Sequence, residues 1–264
     1  MSNFQFSFQT MALACGLADG WEERVKKAAK AKGPGELNVF HGGSAEQVIV
    51  LQSPTSSTRV AIKPDRTELR TDYFDDFVNV DHWDARAKYS EAKAKAILEL
   101  LEAAGTKFSF LGITTVARWS TRGKDAEEAR AAVQGAFGGL DLLSEGESPY
   151  DFSLRASRVV GENQFSNIFL NWYQSRSVTV ALQVPKGVVP TGFSLNEWDM
   201  PLEEEGIELR FDRNNKRAMF EGCRDWTKDG LLTMVCDTMK EMPTSFDAVV
   251  KAIEQSRAPG GHDD

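Results

Sequence analysis

Three cysteines in 264 residues are too few, and too far apart, to organise this chain. Cys15, Cys223 and Cys236 make no zinc knuckle, redox pair or disulfide framework, so a reducing cytoplasm is the expected compartment. Apolar runs are as scarce, and none approaches the roughly 20 residues needed to cross a bilayer. No Gly-x-Ser-x-Gly elbow exists, so His41-Gly42-Gly43-Ser44, although it resembles an esterase oxyanion loop, has no nucleophile to serve and reads as a Gly-rich β-turn. Gly33-Pro34-Gly35 lacks the third glycine and the Lys-Ser/Thr pair of a phosphate loop. Positive charge is in deficit: a net charge of −8 and a pI near 5.1 disfavour a phosphate backbone as partner, because such binding is driven by Lys and Arg. The one basic stretch, Arg24 to Lys32, carries Lys26, Lys27, Lys30 and Lys32 among alanines at helical spacing and reads as a solvated helix face. Met11-Ala12-Leu13-Ala14-Cys15 superficially resembles a lipoprotein cleavage site. It has no preceding Lys or Arg, no apolar h-region, and Ala12 where Leu is usual, so lipidation is not expected.

With 41% hydrophobic and 27% charged residues, the chain has the composition of a soluble globular protein. Its length allows one large domain or two small ones sharing a sheet. Phe4, Phe6 and Phe8 alternate with polar residues, which predicts a half-buried strand. Trp21 to Ala31 reads as a short helix closed by Gly33-Pro34-Gly35. Strands are expected at Val48 to Leu51, Arg59 to Lys63 and Thr67 to Thr71, with a turn at Ser53 to Ser57. A long helix over 80–101 follows, its apolar stripe formed by Val80, Trp83, Ala87, Ala94, Ile97, Leu98 and Leu101, with Arg86, Glu91 and Lys93 elsewhere. Gly105 sits where the helix should stop. In the next strand Phe108 and Phe110 are expected to share a face, with a bulge at Gly112 bringing Ile113 onto it. A second helix spans Asp125 to Phe137.

The second half reads mostly as strand. Phe152 to Ala156 and Val178 to Val184 alternate, and Phe165 to Tyr173 is apolar on both sides, as a covered central strand would be. Lys186 to Glu205 is expected to be a surface loop. Ile207, Leu209 and Phe211 form a strand ending in a hairpin turn at Asp212 to Lys216. Leu231 to Cys236 reads as a last strand, before a helix capped at Thr244 that buries Phe246, Val249, Val250 and Ile253. The residues fall into an N-terminal half, 1–145, a strand-rich half, 146–257, and a disordered tail, 258–264. Neighbouring strands joined by short turns imply antiparallel pairing. The expected fold is therefore α+β, mainly antiparallel sheet with helices on one face, built as two ferredoxin-like halves merged edge to edge.

Two clusters carry candidate chemistry. Asp72, Asp75, Asp76 and His82 combine carboxylates with an imidazole and could hold Mg²⁺, Mn²⁺ or Zn²⁺; the same residues at a helix start also complement its dipole without any metal. On a strand over 165–173, Phe165, Asn167, Phe169, Asn171 and Tyr173 fall on one face. Aromatics alternating with amides could stack a flat ligand or form a subunit contact.

Leu69-Arg70-x-x-Tyr73 before a long helix, Phe110-Leu111-Gly112-Ile113-Thr114 after it, and Leu231 to Asp237 before a terminal helix are similar to a sporadically distributed bacterial family of uncharacterised proteins. The resemblance covers most of the chain from Val48. Thr115-Val116-Ala117-Arg118 stands where that family has an Arg-Tyr-Ile-Asn-like end, and the resemblance implies no activity, cofactor or catalytic residue. The sequence thus points to a soluble, non-enzymatic binding or assembly protein with a protein partner or a second copy of itself. The alternatives are a metal-assisted enzyme at Asp72 to Asp84 and a small-ligand binder using the aromatic strand face.

Overall fold

A computed structural model describes residues 4–16, 19–31, 37–42, 46–63, 66–74, 78, 82–121, 124–137, 152–161, 164–176, 200–215 and 226–257. The first half runs β1 (Gln5–Gly16), α1 (Trp21–Ala31), β2 (Leu37–Gly42), β3 (Glu46–Ser53), β4 (Ser56–Ile62), β5 (Arg66–Tyr73) and α2 (Trp83–Ala103). The second repeats this order with one strand fewer among the described residues: β6 (Lys107–Thr121), α3 (Lys124–Phe137), β7 (Ser153–Gly161), β8 (Gln164–Arg176), β9 (Leu202–Asn214) and α4 (Lys228–Arg257). All nine strands form one antiparallel sheet in the order β2-β3-β4-β5-β1-β6-β9-β8-β7. The fold is α+β, and the halves meet where β1 pairs with β6.

The helices pack side by side in the order α1, α2, α4, α3 and bury one face of the sheet. Strand alternation supplies that face: Thr67, Leu69, Thr71 and Tyr73 of β5 are buried while Arg66, Glu68 and Arg70 between them are exposed. Phe246 of α4 is the hub, with its ring 5.5 Å from Phe4, 5.7 Å from Phe6 and 6.2 Å from Phe211. It therefore joins one helix to strands of both halves, and aromatic pairs of this kind add about 0.5–1.5 kcal/mol each beyond the area they bury.

Strand β1 does not alternate evenly. The register shifts between Phe6 and Phe8, so Phe4 and Phe6 enter the core while Phe8 turns to the opposite face, under the Arg70 guanidinium at 4.3 Å. The same bulge puts Gln9 inside, and a buried amide needs partners. Its Oε1 accepts from Ser90 Oγ at 2.8 Å and Tyr73 Oη at 3.2 Å, and its Nε2 donates to Thr115 Oγ1 at 3.2 Å. Beside it lies Arg86, a residue the helical pattern places outside. It is buried because Phe6, Trp83 and Tyr73 surround its guanidinium, with the Phe6 centroid at 3.7 Å. Desolvation lowers Arg86 to about 10, and the neighbouring phenol opposes that shift. Burial likewise pushes the Tyr73 phenol up to about 12, against the pull of Ser90 and Arg86.

Helix α2 stops as its sequence dictates. Gly105 adopts φ 78°, its N–H bonds Glu102 O, and Thr106 N–H reaches back to Leu101 O, a Schellman closure that only a residue tolerant of positive φ makes cheaply.

Helix α4 overturns the expected strand at Leu231 to Cys236 and the expected helix start at Thr244, because one helix runs through both. Leu231, Met234, Val235, Thr238, Met239 and Met242 are buried at helical spacing, and Thr238 Oγ1 returns to Met234 O at 2.6 Å. The short apolar run had concealed a 3.6-residue period. Pro243 inside the helix cannot donate to Met239 O, four residues back. That orphaned carbonyl instead accepts the Trp83 indole N–H at 2.7 Å, so the proline's missing bond ties α4 to α2.

Other expectations are corrected by register. Phe108 and Phe110 lie on opposite faces, because the shift falls between the pairs Ala14↔Phe110 and Cys15↔Phe108 and not at Gly112. Gly112 continues regular pairing, and a Cβ there would sit 2.9 Å from the Phe110 ring. Asp212 to Asn214 belong to β9 and are not a turn; Asn215 is fully buried, its Oδ1 accepting Leu111 N–H at 2.8 Å. Leu202 to Glu205, expected as loop, also belong to β9. Among the described strands β8 is one in from the edge, and β7, the outermost, is largely exposed, with Val159 at 70%. The expected strand Val178 to Val184, residues 186–199 of the expected loop and the tail 258–264 lie outside the described residues.

Replacing Trp83 with Phe strands Met239 O and should cost about 1–2 kcal/mol in urea unfolding. Adding Pro243→Ala, which restores a donor to that carbonyl, should recover most of the loss. Strict additivity of the two changes would show that the indole bond does not compensate the proline.

Candidate functional site

Each strand that buries one face against the helices presents its alternate residues on the other, where no described helix packs. In the second half this face is built by β6 (Thr114, Val116, Arg118, Ser120), β9 (Glu204, Gly206, Glu208, Arg210, Asp212) and β8. It is neither apolar nor simply solvated: Glu208 is only 5% exposed, although it is charged.

Glu208 is buried because two arginines close over it. Arg118, its direct cross-strand partner, donates through Nε at 3.0 Å and Nη2 at 2.9 Å to Oε2; Arg210, two residues along, donates at 2.7 Å to Oε1. Charge-assisted bonds of this kind are the strong ones. Asp212, one step further along β9, bonds neutral donors: Thr114 Oγ1 at 3.2 Å, Asn167 Nδ2 at 2.7 Å and Asn214 Nδ2 at 2.6 Å. Asn167 Oδ1 in turn accepts from Ser157 Oγ at 2.7 Å and Arg155 Nη2 at 3.2 Å, so the network reaches β7.

Tyr173 lies opposite Gly206, which lies opposite Ser120. With no side chain between them, the phenol reaches Ser120 Oγ at 2.9 Å, and Ser120 also bonds Glu204. A Cβ at Gly206 would meet Trp119 O at 2.0 Å, which reserves the position for glycine. Burial pushes the Tyr173 phenol well above its usual range; the Ser120 bond opposes this and Glu204 adds to it. Three arginines lie against aromatic rings on this face: Arg70 on Phe8 at 4.3 Å, Arg118 on Tyr173 at 4.7 Å and Arg155 on Phe169 at 5.0 Å.

Of the residues singled out by sequence, Phe165, Asn167, Phe169, Asn171 and Tyr173 lie together on this face of β8, opposite Ile168, Leu170 and Trp172, which pack under the helices. Asn171 is held by Ser153 Oγ at 2.7 Å. Asp72 is on the same face in β5, its carboxylate taken by Arg70 Nε at 3.0 Å. His82 precedes α2 and makes no capping bond. Asp75 and Asp76 lie outside the described residues, and among those described no three His, Cys, Asp or Glu residues gather as metal ligands would. Sequence reasoning missed Arg118, Arg155, Glu208, Arg210 and Asp212. The alternation of Ile207, Leu209 and Phe211 already put Glu208, Arg210 and Asp212 on one side; their adjacency to β8 was the missing fact.

On the helix side, a small cleft lined by Ser166, Phe211, Arg213, Thr238, Glu241 and Ser245 is a structural joint. There Arg213 bonds Glu241 at 2.8 Å and Gln164 at 2.9 Å, fastening β9 to α4 and β8.

Two outcomes follow. Glu208→Gln leaves Arg118 and Arg210, which are 32% and 43% exposed, facing each other without a counter-charge. Fully buried pairs cost more to break, so the expected loss is about 1–3 kcal/mol in urea unfolding, shrinking in 1 M salt. In an alkaline titration followed at 295 nm, two of the four tyrosines, Tyr73 and Tyr173, should ionise late. Because Tyr73 is raised when folded, its contribution is intact below pH 10 and is lost as pH climbs toward about 12. Tyr173→Phe should remove one late-titrating phenol, and an unchanged late amplitude would contradict its burial.

No protein-family model matches this chain and no curated protein does either, so what this face does has to be argued from its own chemistry.

Proposed function

We propose that the protein works by binding, taking a protein partner or a second copy of itself on the face of the sheet that no described helix covers. The observation that carries this reading is the row Phe165, Asn167, Phe169, Asn171 and Tyr173 on a face that no described helix covers, interleaved with arginines already fixed in place. Tyr, Phe and Arg are the side chains enriched at interfaces and at their energetic centres. Their rotamers are held by neighbours: Arg118 by Glu208, Tyr173 by Ser120, Asn167 by Asp212. A partner therefore meets an ordered surface and loses less free energy to immobilising it. The bonds run from strand to strand across the sheet, which suits an extended contact.

The test is a double variant, Phe169→Ser with Tyr173→Ser, compared with wild type by light scattering and by affinity recovery of partners. Wild type should form an assembly or retain a partner, and the variant should lose it while its melting temperature stays within about 5 °C. A wild-type protein that is strictly monomeric and retains nothing would count decisively against the reading.

A further inference from the structure

Taking the binding role of this face as given, we infer that its occupant is a second copy of the chain, turned about a two-fold axis that runs along the strands between β1 and β6. The register allows the face to be read in straight rows across the sheet. From β4 to β8, one row holds Arg59, Arg70, Thr10, Thr114, Asp212 and Asn167. The next holds Ser57, Asp72, Phe8, Val116, Arg210 and Phe169. In the first row the positive charge lies in the first half of the chain and the negative charge in the second. In the next row the order of signs is reversed.

That reversal is what self-recognition requires. The axis carries β5 onto β9, β4 onto β8 and β1 onto β6 of the other copy while each residue keeps its row. Arg70 then faces Asp212 and Asp72 faces Arg210, and the symmetry makes each contact twice. Phe8 falls on Val116, Phe169 on Ser57 and Arg59 on Asn167, so among the described residues of these rows no like charges are opposed. In the row beyond Arg70, Phe165 falls on Ala61, and Val159, 70% exposed on β7, falls on Val48 of β3. Arg70 bonds Asp72 and Arg210 bonds Glu208 within the chain, yet their side chains are 56%, 45% and 43% exposed for Arg70, Asp72 and Arg210. Each keeps donor or acceptor capacity for a group in the other copy. A face of balanced charge discourages a partner of one sign, and an unrelated protein would need to carry the inverse pattern independently. A second copy carries it already, because the two halves of the face are each other's complement. Turned end over end instead, the copies would still match in charge, but Phe8 would meet Thr10 and Phe169 would meet Asn167. The axis along the strands also leaves the two sheets aligned, as stacked sheets commonly are.

The test is sedimentation equilibrium of wild type and of the exchange variant Arg70→Asp with Asp72→Arg. The exchange keeps an exposed pair of opposite charges on β5, so folding by far-UV circular dichroism should be unchanged. It sets like charges against Asp212 and Arg210 of the other copy. Wild type should be a dimer, and the exchange should raise its dissociation constant by about tenfold or more. Val159→Glu, at a site too exposed to disturb folding, should also weaken the dimer, and it decides alone if the exchange variant does not fold. Undiminished dimerisation of the folded exchange variant overturns the inference, and so does a monomeric wild type. A monomer that retains a different protein, lost in the Phe169→Ser, Tyr173→Ser variant, overturns this inference and leaves the binding reading standing. A monomer that retains nothing removes both.

Discussion

Everything in this molecule hangs on the pairing of β1 with β6. These strands pair along most of their length, from Gln5↔Arg118 to Gly16↔Lys107, and theirs is the only strand pairing, among the described residues, between two halves that each run strand, helix, meander, helix. Each half alone would leave its opening strand as an unpaired edge, a template for unwanted pairing. Joined, the two edges consume each other, and the helices can lie as one layer with Phe246 at the junction.

The same pairing separates two kinds of chemistry. On the helix side, the polar groups along the seam are enclosed: Gln9 among Ser90, Tyr73 and Thr115, and Arg86 among rings. On the other side they are numerous and bonded to one another along the sheet. Buried amides and charges impose one register where apolar side chains would tolerate several, so the interior seam fixes which residues β6 and β9 turn outward. Moving β1 by one residue would swap Gln9 for Phe8 at the seam and part Gln9 from Thr115 of the neighbouring β6.

Much of this was readable from residues alone, and the failures have physical causes. Even alternation, as in Thr67 to Tyr73 or Ile207 to Phe211, exposes the period of a strand directly. The length of α2 and its stop at Gly105 were equally plain. Bulges were not, because nothing local distinguishes Phe6-Ser7-Phe8 from a regular strand; the shift is imposed by neighbours distant in sequence. Leu231 to Cys236 misled because six residues are too few to tell a 3.6 period from a buried strand, and the helix that runs on through Pro243 keeps its freed carbonyl bonded only through Trp83, far away in sequence. Of the candidate face, alternation within β8 was legible, whereas the arginines and carboxylates that complete it come from β6, β7 and β9 and meet only through topology.

A strand that is early in sequence and central in space also constrains how the chain comes together. Gln9 bonds Thr115, 106 positions later, and Met239, 230 later. During synthesis β1 must therefore wait, largely unpaired, until β5 and then β6 have emerged, and its core side is not closed until α4 arrives. Such non-local closure makes for slow folding and a long exposure of β-prone sequence. The Gln, Ser and Thr residues spaced through β1 keep that waiting strand from being continuously apolar, so the polar seam that sets the register of the finished sheet also guards the nascent one.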